Sequence, residues 1–175
     1  MQKQSKKLTN LFTRYIIILL LGLGNLFIFY KTLTPLTLYT LKTILSIFTK
    51  ATISENIITT QNFQVQLIPA CIAGSAYYLL LILNLSTPDI KLNKRLKILL
   101  LSFLSLLILN ILRILFLISI NKTILFNPLH EIFWYAISTI FVIAIWIFLV
   151  KKYKIKNTPA YDDLRFLSKL VKKKK

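Results

Sequence analysis

An all-α integral membrane protein with four transmembrane helices is the fold class that this sequence predicts, on three observations. Hydrophobic residues make up 56% of the 175 residues and Gly only 3 of them, which is the composition of an ordered, apolar chain. Mean hydropathy is +0.69, and the apolar residues gather into runs long enough to cross a bilayer. The formal charge of +18 collects at the two ends and in one short loop, so it follows membrane topology instead of forming a nucleic-acid surface. The whole chain, 1–175, reads as one membrane domain.

The first span is expected at about 15–34. Lys3, Lys6, Lys7 and Arg14 precede the apolar run Tyr15 to Tyr30 as in a secretory signal, but Lys31-Thr-Leu-Thr-Pro offers no small-x-small cleavage site, so the run reads as an uncleaved helix. The segment at about 33–48 is apolar but carries Lys42, Pro35 and several Thr, and is expected to lie in the interface as a separate helix. Ala51 to Leu67 is polar, and Phe63-Gln-Val-Gln-Leu alternates with period two, the pattern of a short external extended segment. The remaining spans are expected at about 68–86, 98–120 and 129–150, the last with Trp134 and Trp146 toward its ends. From 158 to 175 a basic amphipathic tail, with Leu164, Leu167, Leu170 and Val171 on a helical spacing and four lysines at the end, is expected on the anionic inner leaflet.

Four spans group the N-terminal cations, the loop cations Lys91, Lys94, Arg95 and Lys97, and the tail from Lys151 on one side. Only Lys31, Lys42, Lys50 and Lys122 fall on the other. The positive-inside rule then sets both termini in the cytoplasm of a multi-pass plasma-membrane protein.

One Cys and one His exclude an internal disulfide framework and are too few to ligate zinc or an iron–sulfur cluster, so no metal and no cofactor is expected. Those two residues and one arginine instead form a candidate catalytic set. Cys71 follows Pro69, a favoured first helical residue, and is expected in the first turn of the second span, where unpaired amides suit a thiolate. His130 follows Asn127 and Pro128, a good cap and first residue, and is expected in the first turn of the fourth span. Arg113 is a charge inside an apolar helix, which costs about 2.5 to 3.5 kcal/mol on the lenient insertion scale and therefore implies a task. It lies ~10 Å below Ile120 along the helix. Asn110, one turn earlier, and Ser75 are the supporting candidates. Each residue also has a bland reading: an inert buried thiol, a hydrated interfacial imidazole, ordinary small-residue packing along Ala70-xxx-Gly74.

Pro69-Ala-Cys-Ile-Ala-Gly-Ser-Ala-Tyr-Tyr78, Asn110-Ile-Leu-Arg113-Ile and Asn127-Pro-Leu-His130 together resemble the three blocks of the exosortase/archaeosortase family of membrane cysteine transpeptidases. The resemblance covers about 68–150, and the composition fits a small archaeal-type member. It implies Cys71 as nucleophile, Arg113 as stabiliser and His130 as acid or base. It also implies substrates that are exported proteins with a C-terminal motif, an apolar helix and a basic cluster, cleaved at the outer face and passed to a lipid or surface acceptor. A plain cysteine protease would use the same triad with water as acceptor. The non-enzymatic alternative is a scaffold or transport-associated subunit in which Arg113 pairs with a partner helix. Membrane lipids are expected partners and nucleic acid is not.

Overall fold

The structure is a computed structural model that describes residues 2–121, 123–133 and 138–172. Lys122, Trp134 and Lys173 to Lys175 lie outside the described residues. The elements in order are α1 (Gln2–Gly22), α2 (Phe27–Leu45), β1 (Thr52–Ser54), β2 (Ile57–Thr59), β3 (Gln64–Gln66), α3 (Pro69–Ile72), α4 (Gly74–Leu85), α5 (Leu92–Ser119), α6 (Phe126–Ile132), α7 (Ser138–Lys152) and α8 (Tyr161–Lys172).

Among the described residues only α5, at 28 residues, is by itself long and apolar enough to cross a membrane, and the four-span expectation is corrected accordingly. The first expected span is cut where Gly24, Asn25 and Leu26 all take positive φ, and the helices on either side of the break are bent by 67°. Even counted as one broken span, that pair brings the number to two at most. Gly and Asn enter the left-handed region at the least steric cost, which is why the chain turns there. The 33–48 segment is not a separate interfacial helix but the greater part of α2, which runs through Pro35. The second expected span is divided at Ala73, φ 58°, into a single turn and a 12-residue helix of ~18 Å. The fourth expected span includes residues 134–137, which lie outside the described residues; to either side of them stand the seven-residue α6 and the 15-residue α7. Without four crossings, loop charge no longer sets both termini on one side, although α8 does meet α1, where the buried Asp163 accepts from Arg14 at 2.9 Å.

Two stripes on α5 organise the molecule. Ile98, Ser102, Leu106, Asn110, Arg113 and Leu117 are buried, at helical spacing, against α4 and α7. Leu96, Leu100, Leu104, Ile108, Leu112 and Phe116 form an exposed apolar row on successive turns. The core lies between α2, α4, α5 and α7, with Leu41, Leu80 and Ile98 fully buried and Phe103 edge-on to both Phe29 and Tyr77. Between α2 and α3 the polar segment folds as a three-stranded antiparallel meander, order β1-β2-β3, with Ile58 buried beneath it. The period-two stretch of the sequence contains β3, an edge strand.

Gly74 opens α4 directly beneath the Tyr30 ring, and a Cβ built there would stand 2.8 Å from the ring edge. A methyl at this point must displace the ring or the helix. Gly74→Ala is therefore expected to cost about 1 to 3 kcal/mol in unfolding free energy. In a Tyr30→Ala background the same change should cost far less, and a double-mutant cycle with no coupling would refute the contact.

Candidate active site

Ala73 in the left-handed region ends α3 after one turn, and this stop leaves the carbonyls of Ala70 and Cys71 without the amides four residues on. Both are satisfied from α5. Arg113 donates through Nη2 to the Ala70 carbonyl at 2.9 Å, and Asn110 donates through Nδ2 to the Cys71 carbonyl at 2.7 Å. The two donors lie three residues apart on one face, so successive levels of α5 grip successive carbonyls of the turn that carries the thiol. The Nη1 group of Arg113 donates to the Ser138 hydroxyl at 3.0 Å, and that hydroxyl donates to the Phe133 carbonyl at 3.0 Å. The turn, α5 and the start of α7 are thereby joined through one guanidinium.

Cys71 and His130 line one cavity of about 210 Å³. Its walls also include Gln64 to Gln66 of the edge strand, Ile114 and Phe126. Cys71 is partly exposed, and the His130 ring stacks on Phe126 with centroids 5.7 Å apart. Among the described residues no side chain or backbone group hydrogen-bonds either imidazole nitrogen. Arg113 is not among the lining residues: it is buried, with its Nε–H unpartnered among the described residues, and it lies within electrostatic range of the Cys71 sulfur.

No protein-family model matches the chain, and no curated protein or solved structure matches it either. What the site can do therefore rests on its own geometry.

Several local expectations are revised. Cys71 belongs to a one-turn helix whose Cys71 amide is already bonded to the Ile68 carbonyl at 2.8 Å, so a long helix dipole does not serve the thiol. His130 stands in the last turn of α6, not the first turn of a span, because α6 begins at Phe126, ahead of Asn127 and Pro128. Ser75 is exposed and lines a different cavity with Ala70, Ala73 and Ser138, apart from the imidazole. Asn110, expected as a supporting residue, donates to the backbone carbonyl of Cys71 itself. Ser138 was missed by sequence reasoning, since it lies inside the expected span at about 129–150 and its place beside Arg113, 25 residues away, is set by the tertiary fold.

The edge strand adds a second polar feature. Leu67 donates its amide to Asn56 at 2.8 Å and Thr60 donates to Phe63 at 2.9 Å, so Val65 and Ile58 form the hydrogen-bonded pair between them. The main-chain groups of Gln64 and Gln66 consequently turn away from β2, toward the open edge.

Asn110→Ala is expected to free the Cys71 carbonyl, lowering stability by about 1 to 3 kcal/mol and changing the alkylation rate of Cys71 severalfold. Arg113→Lys should do the same, because one ammonium cannot span Ala70 and Ser138. Ser75→Ala should alter neither quantity. Equal alkylation rates for all three variants would show that α5 does not hold the thiol turn.

Proposed function

We propose that the protein is a membrane-bound cysteine transpeptidase of the exosortase/archaeosortase kind, acting on the C-terminal region of exported proteins at the outer face of the plasma membrane. The observation that carries this reading is the shared cavity of Cys71 and His130, with a buried guanidinium fixed to the residue before the thiol.

Membrane attachment is supported by the inverted pattern of α5. Leu96, Leu100, Leu104, Ile108 and Leu112 are exposed while Asn110 and Arg113 are buried, the reverse of a helix on a soluble surface. Orientation is supported by the two ends of that helix. Lys91, Lys94, Arg95 and Lys97 gather at its start, and Arg113 follows Arg95 by ~27 Å of helix, close to the thickness of a hydrocarbon core. With the basic end inside, the thiol faces outside.

The substrate carbonyl enters the cavity on a segment in extended form, for which the open edge of β3 supplies amides and carbonyls at Gln64 and Gln66. His130 takes the proton of Cys71, and the sulfur attacks the carbonyl carbon. Negative charge on the carbonyl oxygen develops within the field of Arg113, which lies too deep to pair with a partner helix. The tetrahedral adduct collapses to a thioester as His130 returns the proton to the departing amine. An incoming amine or water then attacks the thioester, gives its proton to His130 and releases the thiolate. A lipid amine as acceptor makes the enzyme a transferase, and water makes it a protease.

Intact-mass analysis of membrane proteins from cells carrying the wild type or Cys71→Ala tests this. Substrates are expected to lose a C-terminal helix only with the wild type, and the mass left at the new C-terminus identifies the acceptor. His130→Ala should slow processing about 100-fold or more. Identical uncleaved sets in both strains, with the protein expressed, would sink the proposal.

A further inference from the structure

A cavity of about 480 Å³ lies at the far end of the molecule from Cys71, between α1 and the start of α5. Two arginines that are more than nine-tenths buried, Arg14 and Arg95, line it, and Lys6 stands at its mouth. Arg14 is neutralised: it donates to Asp163 at 2.9 Å, to Asn10 at 3.0 Å and to the Leu85 carbonyl at 2.7 Å. Arg95 is not neutralised in this way. Its guanidinium donates one bond from Nη1 to the Asn84 carbonyl and one from Nη2 to the Thr87 carbonyl, neutral groups that leave its charge uncancelled and N–H groups to spare. Among the described residues Asp163 acts on both guanidinium groups but is paired with Arg14, and Asp89, which lines an adjoining cavity with Lys6, Arg14 and Arg95, is paired with Lys7, so a positive charge is left over here. An uncompensated buried cation is costly, and an anion from outside is the natural remedy.

The polar lining suits that anion. Asn10 accepts from Arg14 through its oxygen, which turns its amide hydrogens toward other acceptors. Lys6 has no carboxylate partner among the described residues, unlike Lys7, which pairs with Asp89 at 3.1 Å. Beyond the polar groups the wall becomes apolar at Ile17 and Leu92, 39% and 69% exposed, and exposed Leu96 and Leu100 continue along α5. A charged pocket opening onto an apolar track is the shape of a lipid headgroup site.

We infer that this cavity binds the phosphate of an anionic phospholipid, held by Arg95, Lys6 and the Asn10 amide, with acyl chains along α1 and α5. The site is independent of the transpeptidase reading. It gives the protein a lipid-dependent stability and fixes the packing of α1, α5 and α8 where Arg14 and Asp163 meet.

The test titrates the detergent-solubilised full-length chain with phosphatidylglycerol, phosphatidylcholine or inorganic phosphate, reading the unfolding midpoint and the retained mass by native mass spectrometry. Phosphatidylglycerol is expected to raise the midpoint and remain as a one-to-one adduct, and phosphatidylcholine to do neither. Lys6→Glu, an exposed change that leaves the core intact, should weaken phosphatidylglycerol binding about tenfold. Lys172→Glu, with the same change in net charge but outside the cavity, should leave it unaltered. Arg95→Gln should abolish the adduct. A response to inorganic phosphate with none to phosphatidylglycerol would assign the site to a free phosphate compound and overturn the lipid assignment. Equal retention of the two lipids, or equal losses in Lys6→Glu and Lys172→Glu, would overturn the site itself.

Discussion

Two orphaned carbonyls set the terms for the rest of this structure. The left-handed turn at Ala73 cuts the hydrogen-bond ladder after Pro69–Ile72 and frees the carbonyls of Ala70 and Cys71 from helical partners. Arg113 and Asn110 supply the missing donors. A continuous helix through this region would have bonded both carbonyls internally and left the arginine with nothing to hold. The break and the buried charge each make the other tolerable, and together they fix the thiol at the wall of a cavity instead of inside a helix bundle.

The same helix manages polarity at both of its ends. Near its start Arg95 engages the carbonyls at Asn84 and Thr87, where α4 runs out, and near its end Arg113 engages the carbonyl of Ala70, before α4 begins. Between them Ser102 and Asn110 are the polar members of a buried row that is otherwise apolar. Between its two ends the helix presents Leu96, Leu100, Leu104, Ile108 and Leu112 outward, while Ser102, Asn110 and Arg113 are buried. Polar groups inside and apolar groups outside are what a bilayer requires of a protein surface.

Parts of the site were legible as residues without being legible as geometry. Arg113 announced itself, since a lone charge in an apolar run has few explanations, and Asn110 followed from its place one turn away. Cys71 and His130 were found by their scarcity and their neighbours. Their local settings were misread for one reason: Pro69 and Pro128 were each taken to open a long helix, whereas α3 stops after a turn and α6 starts before its proline. Proline marks a compatible position near a helix start but does not say how far the helix continues. The Gly22-Leu-Gly24-Asn25 stretch did carry a readable break signal, which the surrounding hydrophobicity concealed.

By itself the sequence determined the long apolar helix, the cations at one end of it, the arginine near the other and an extended polar segment ahead of the cysteine. These follow from local quantities: hydropathy over a window, charge position and side-chain alternation. Only the tertiary structure decided that the flanking apolar runs break, because alanine in the left-handed region at Ala73 costs about 1 kcal/mol or more locally. What offsets that cost lies far along the chain, in Tyr30 over Gly74 and in Asn110 and Arg113 on the freed carbonyls. Hydropathy reports whether a segment prefers to leave water. It does not report whether a side chain about forty residues away will donate to the segment's freed carbonyls, and here that donation shaped the site.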